Sequence, residues 1–280
     1  MIYGLAAALG WGFADLGAAI ASRRIGSLVV VVLAQLAGFG AIAVLFLVVR
    51  PAWRGSGQEV LLLLANGILV AAAYVLHYRA LELGPVALVA PLSAAYAVIP
   101  IALAVVILGE SLALPVLAGA TLTILGIVLI TTDPRQLHDA ARASRAGLPY
   151  AFAAMVLFGI ASFIFGRAAQ RMGWLTAVGL GRTFTMAALL LFVGLRRPGL
   201  AAGGRSVLGS TLVGLVDVVG IAAYSRGAEV GLISQVSAVS AIFPIIPFLG
   251  GLTFFRERPG PSQILGVGLV MVGLILLGLG

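Results

Sequence analysis

Residues 79–110 read RALELGPVALVAPLSAAYAVIPIALAVVILGE, and residues 226–257 read RGAEVGLISQVSAVSAIFPIIPFLGGLTFFRE. The second stretch begins 147 residues after the first (226 against 79), and the same displacement pairs Arg79 with Arg226, Glu82 with Glu229, Gly84 with Gly231, Pro100 with Pro247 and Glu110 with Glu257. Carried outward without a gap, it pairs Gly12 with Gly159, Ala14 with Ala161, Arg24 with Arg171, Gly67 with Gly214, Gly119 with Gly266 and Gly126 with Gly273. Chance agreement among Gly/Ala/Leu-rich segments would not bring Arg, Glu and Pro into register. A constant displacement across both halves means duplication.

Composition sets the solvent. Of 280 residues 62% are hydrophobic and 9% charged, and the mean hydropathy is +1.19, well above a soluble domain. Crossing a bilayer as helix takes about 20 apolar residues. Charged and Gly/Pro breaks divide the chain into ten such spans, at 2–22, 28–49, 59–78, 86–108, 113–131, 148–167, 174–194, 206–225, 231–253 and 261–279. The runs are continuous rather than alternating, which argues against a β-barrel. The expected fold is an all-α polytopic membrane protein, ten transmembrane helices as two five-helix repeats: residues 1–131, a connecting loop 132–147, and residues 148–280. Five is odd, so chain continuity inverts the second repeat in the membrane. Inverted repeats are the architecture of secondary transporters, whose halves open one central site to alternate sides.

Several functions are excluded or disfavoured at this level. The charge of +8 comes from 17 arginines and no lysine. Arg23, Arg24, Arg50, Arg54, Arg196, Arg197 and Arg205 lie at span ends, where they meet lipid phosphates, so no nucleic-acid partner is expected. With no cysteine there is no disulfide, thiolate metal site or thiol chemistry. Two histidines, one of them in the 132–147 loop, no HExxH, no acidic cluster and no P-loop leave no catalytic group, metal site or cofactor to expect. The first span has no charged n-region or cleavage site and reads as a retained helix.

The phrase ALELGPVALVAPL with LGE at 108–110, the Trp11-Gly12 pair, and Phe243-Pro244 before Arg256-Glu257 resemble the EamA-type branch of the drug/metabolite transporter superfamily, across essentially the whole chain. The resemblance implies ten helices in two inverted halves, no ATP site, and export of small molecules, often amino acids or related metabolites, across a bacterial inner membrane. One departure concerns helix four. The proline that the family carries there, matched by Pro244 in the second half, falls on Ala97 in the first, with Pro91 and Pro100 on either side, so the position of the kink stays open.

Polar and aromatic residues inside spans are costly without a partner or a purpose. Trp11 and Asp15 stack on one face of helix one, and Tyr74, His77 and Tyr78 share a face of helix three. Ser93 and Tyr96 of helix four, Phe158 and Ser162 of helix six, Asp217 and Tyr224 of helix eight, and Ser237, Ser240 and Pro244 of helix nine complete a candidate substrate cavity drawn from both halves. Structural alternatives stand beside each. Asp15 can pair with Arg182, the one arginine deep inside a span. His77, Arg79/Glu82 and Arg226/Glu229 lie near span ends as topology or local ion-pair features. Serine hydroxyls bond back to their own helices, and Gly119/Gly126 with Gly266/Gly273 are helix-packing surfaces. The expected function is export of small amphipathic metabolites, amino acids first; the alternative is proton-coupled antiport of cationic drugs or polyamines through an intramembrane carboxylate. The partners are a small-molecule substrate and the lipid bilayer, with the chain monomeric. Eleven arginines fall on one side of the membrane and five on the other, which puts both termini outside by the positive-inside rule, whereas the resemblance puts them in the cytoplasm.

Overall fold

The computed structural model describes residues 2–109, 113–131, 146–196, 204–231, 233–240 and 242–279. Glu110, Arg197 and positions 132–145 of the connecting loop, with its histidine, lie outside them. The described residues form α1 (Ile2–Ile25), α2 (Ser27–Val49), α3 (Gly57–Leu83), α4 (Val86–Ala94), α5 (Val98–Leu108), α6 (Leu114–Thr131), α7 (Leu148–Met172), α8 (Trp174–Arg196), α9 (Gly204–Val230), α10 (Ile233–Ser240), α11 (Ile245–Thr253) and α12 (Pro261–Leu279), with no strand among them. Seven stretches are long and apolar enough to cross a bilayer: α1, α2, α3, α4 with α5, α7, α8 and α9. Leu114–Ile130 and Pro261–Leu277 are shorter apolar helices. Three expected ends move by five residues, α7 running on to Met172 instead of 167. α3 and α9 run on to Leu83 and Val230 instead of stopping near 78 and 225, because Arg79–Glu82 (2.9 Å) and Arg226–Glu229 pair at i,i+3 and keep those last turns helical.

The kink in the fourth stretch sits at Ala95–Ala97, a single 3₁₀ turn between α4 and α5. Its counterpart in the second half is the turn at 242–244 between α10 and α11. Ala97 and Pro244 therefore occupy the same place in the two breaks although only one is proline. The shared cause lies three residues on: Pro100 and Pro247 have no N–H to give to the carbonyls of Tyr96 and Phe243, so the α ladder is interrupted at both places.

α1 runs antiparallel to α9, and α3 to α7. Gly10 meets Gly220 and Gly17 meets Val213 along α1 and α9, while Glu59 meets Arg171 and Gly84 meets Gly147 along α3 and α7. Gly119 and Gly126 of α6 lie against Gly273 and Gly266 of α12, the close glycine seam expected of those residues. Contacts recur when both partners are exchanged by 147 positions: Gly12 against Ile246 corresponds to Gly159 against Ile99. Gly26 and Gly173, corresponding positions, both have φ of +85°, which lets α2 and α8 follow α1 and α7 with no intervening loop. The bundle is apolar outside, and its buried polar residues sit within a largely apolar interior. Leu47, Val106, Leu114 and Leu195 are at least 70% exposed, whereas Asp15, Gln35, Asn66, His77, Arg182 and Asp217 are buried.

A Cβ on Gly126 would lie 2.5 Å from the Gly266 carbonyl oxygen and 2.8 Å from the Val270 nitrogen, both backbone, while one on Gly268 meets nothing within 4 Å. Gly126→Leu should therefore lower the midpoint of thermal unfolding in detergent, at a cost of about 1–3 kcal/mol for overpacking. Gly268→Leu should leave it unchanged.

Candidate functional site

The central cavity forms where α1, α3, α4, α7, α8 and α9 converge. Two aromatic clusters make its apolar wall. Trp11 has Tyr224, Phe243 and Tyr96 around it, with ring centroids at 5.5, 6.3 and 6.4 Å. Phe158, the residue 147 positions after Trp11, meets Tyr74 edge-on at 5.3 Å and His77 at 5.8 Å. The seat of Trp11 depends on a missing side chain: a Cβ on Gly220 would fall 2.5 Å from the indole Cδ1.

Polar groups enter this wall at two levels. At the first, His77 Nε2 lies 3.0 Å from Asp15 Oδ1 and Nδ1 lies 3.1 Å from Ser93 Oγ. A carboxylate only accepts, so Nε2 carries the proton toward Asp15, and in the neutral ring Nδ1 accepts from the serine hydroxyl. The other oxygen, Asp15 Oδ2, is buried without a hydrogen-bond partner. One helical turn away along α3, Tyr74 donates to Asp217 Oδ1 (2.9 Å), the Arg182 guanidinium donates to Asp217 Oδ2, and its other nitrogen donates to Gln35 Oε1. Both members of the Arg182–Asp217 pair are buried, and Gln35 Nε2 has no partner. Two turns further along α3, Asn66 lines the cavity with Oδ1 unpartnered.

The structure gathers Trp11, Asp15, Tyr74, His77, Ser93, Tyr96, Phe158, Ser162, Asp217 and Tyr224 onto one cavity. Tyr78, Ser237, Ser240 and Pro244 stand behind its wall. Tyr78 is buried against Tyr74 and His77, the Ser237 hydroxyl bonds Tyr224 Oη (2.8 Å), Ser240 bonds Tyr96 Oη (3.2 Å), and Pro244 leads into α11. Three sequence readings change. Arg182 pairs with Asp217 and not with Asp15, because it lies on α8 facing α2 and α9, whereas Asp15 on α1 faces α3. His77 is no span-end feature: α3 continues past it and buries its ring on the cavity wall. Helix seven, α8, joins the lining through Val178, Gly181, Arg182 and Thr185. The sequence signal for Arg182 and Asn66 was present, since a charge or amide amid apolar residues is expensive in a span. Among the described residues no three His, Asp or Glu side chains gather as a metal would need.

The cavity lies between the two ends of the bundle. Its lining reaches Asn66, Phe165 and Val178 toward the face that carries Ile2, and ends toward the other at Asp15, His77 and Ser93. At that other face the backbone amides of Val86 and Ala87, at the start of α4, donate to the two oxygens of Glu257 at 2.9 and 2.8 Å. Arg23 at the end of α1 donates to Glu257 Oε1 (3.0 Å) and to the Gly84 carbonyl (2.8 Å), and its guanidinium lies 4.1 Å over the Phe255 ring. This lock ties α1, the α3–α4 junction and the segment after α11 together.

Removing one partner of a buried ion pair leaves an uncompensated charge, which costs about 3–5 kcal/mol. Asp217→Asn should therefore lower the thermal midpoint sharply. Asp15→Asn, which faces a histidine able to stay neutral, should lower it far less, in the same detergent-solubilised assay.

The EamA-like transporter family matches residues 1–132 and 145–279, one match on each half. No curated protein matches the chain. One solved crystal structure superposes with a TM-score of 0.71 at 20% sequence identity, covering 99% of this chain and 96% of its own, a likeness of fold. With both halves matched, nearly end to end, the chain belongs to the EamA-like transporter family of the drug/metabolite transporter superfamily.

Proposed function

We propose that this protein exports small amphipathic metabolites, amino acids foremost, by alternating access through the central cavity. One observation carries the reading: a single aromatic-lined cavity holds buried groups of both signs about one helical turn apart. A zwitterion needs acceptors for its ammonium and donors for its carboxylate. Asp15 Oδ2 is an unpartnered acceptor, and Arg182 with the free Nε2 of Gln35 supplies donors. The rings of Trp11, Phe158 and Tyr74 bury the apolar side chain, at about 25 cal/mol per Å². The architecture proposed with it is ten spans in two inverted repeats, 1–131 and 148–280, joined by 132–147, acting as a monomer in a bacterial inner membrane. The antiparallel glycine seams and the contacts that recur on exchange by 147 positions support it.

A second reading is favoured by Asp15 and His77 together. With His77 neutral, Asp15 and Asp217 outnumber Arg182 by one charge, which suits a cationic drug or polyamine; one proton on His77 restores balance. That is the arrangement a proton-coupled antiporter would use. Uptake into proteoliposomes of the purified protein separates the two. The exporter reading expects neutral amino-acid flux without an imposed pH gradient, retained in Asp15→Asn with KM raised about tenfold or more for the lost charged hydrogen bond. Flux of an ethidium-like cation that requires the gradient and vanishes in Asp15→Asn would replace it with the antiporter.

Alternating access also requires the Arg23–Glu257 lock to open. On this cysteine-free chain, Ser93→Cys should react with a membrane-impermeant thiol reagent added on the Ile2 face. Adding Glu257→Gln should raise its reactivity from the Arg23 face severalfold. Unchanged reactivity from that face would show that the lock does not gate the cavity.

A further inference from the structure

A second concavity lies on the outside of the bundle, between α1 and α9, and plays no part in the transport cavity. Gly17, Ile20, Leu212 and Val216 line it, and Arg24 and Ser206 stand at its mouth. Leu212 is 53% exposed, so the groove faces the surroundings of the bundle, and a Cβ on Gly209 in its floor would meet nothing within 4 Å. Arg24 is the last residue but one of α1, and Ser206 is in the first turn of α9, so the mouth lies at the membrane boundary. From Ser206 to Val216 the helix rises about 15 Å, which is half of a hydrocarbon core about 30 Å thick. The groove is as deep as one leaflet.

The corresponding place in the other half shows what is missing. Exchange by 147 positions turns Arg24 and Ser206 into Arg171 and Glu59, and there the guanidinium donates to the carboxylate at 2.8 Å. Around Arg24 the acid is replaced by a serine. Among the described residues Arg24 has no ion-pair partner, and the groove below it presents only apolar surface and glycine. On the same membrane face Arg23 and Arg79 pair with Glu257 and Glu82, which leaves Arg196, Arg256 and Arg258 to add to a local field that attracts anions.

We propose that this groove binds an anionic phospholipid, one acyl chain lying between α1 and α9 and the phosphate oxygens accepting from the Arg24 guanidinium and the Ser206 hydroxyl. The site is independent of the transported substrate. The full chain, reconstituted in phosphatidylcholine vesicles with and without phosphatidylglycerol, would be probed by electron spin resonance with acyl-chain spin labels on either lipid. The wild type should immobilise phosphatidylglycerol in preference to phosphatidylcholine. Arg24→Gln should cut that preference about fivefold, the worth of one basic residue at the surface, and Arg24→Lys should keep most of it. Gly209→Phe, which fills the groove, should reduce immobilisation of both lipids. A wild type that does not distinguish the head groups, or an Arg24→Gln protein that matches the wild type, would overturn the proposal.

Discussion

A guanidinium in the middle of a membrane bundle has to be met where it stands, and much of the cavity follows from how Arg182 is met. Its charge is balanced by Asp217 on α9, its other terminal nitrogen donates to Gln35 on α2, and Tyr74 of α3 closes the other oxygen of Asp217. Four helices are thereby held at one depth by polar contacts, in a medium that gives apolar helices little reason to associate. Gln35 and Arg182 are 147 positions apart, so the two halves touch there through corresponding residues. A residue can bond its own counterpart only near the axis that relates the halves. The cluster therefore marks the centre of the molecule as well as the wall of the cavity.

What separates the two halves is polar chemistry, laid over packing that both retain. The glycine seams recur on exchange, as does the ring contact of Trp11 with Tyr224, which becomes Phe158 with His77. The polar positions do not. Asp15 corresponds to Ser162, His77 to Tyr224, Asp217 to Val70 and Tyr74 to Ile221. Asp15 and His77 form an ionisable junction on one side, whereas Tyr224 Oη meets the Ser162 carbonyl at 3.5 Å and the Ser237 hydroxyl on the other. A duplicated scaffold thus encloses a cavity that is charged on one flank and neutral on the other, which gives an asymmetric substrate a preferred orientation.

Repeat and composition made the helical architecture readable, because glycine, proline and charge at fixed displacement are dictated by backbone geometry and desolvation. The site was readable where a residue's cost in lipid was high: Asp15, Asp217 and the aromatic residues other than Tyr78 reach the cavity. Pairing was not readable. Whether Arg182 meets Asp15 or Asp217 depends on how helices rotate about their own axes, which sequence displacement does not encode. The same limit hid Ser237 and Ser240, whose hydroxyls serve the tyrosines in front of them. Pro244 misled in a different way. The break it suggests is set by Pro100 and Pro247, so the first half kinks at Ala97 without it.

In the proposed exchange between the two access states, contacts fall into two kinds. The Gln35–Arg182 bond maps onto itself, and Gly119–Gly273 maps onto Gly126–Gly266, so both can persist while the halves swap conformations. The lock at Glu257 cannot. Its counterpart would draw on Glu110 and, in place of Arg23, on Gln170, which carries no charge. The lock at the Arg23 face rests on a charge-assisted bond and a cation–π contact, both made by Arg23, whose counterpart Gln170 can make neither. In the proposed cycle that inequality favours the locked state of the empty protein. A substrate shifts the balance only through interactions that differ between the two states. In the proposed cycle the Gln35–Arg182 bond can persist in both, so the differential falls to groups still uncommitted, Asp15 Oδ2 and Asn66 Oδ1 among them. On the proposed reading, the groups that recognise the substrate are also the ones that offset the opening of the lock.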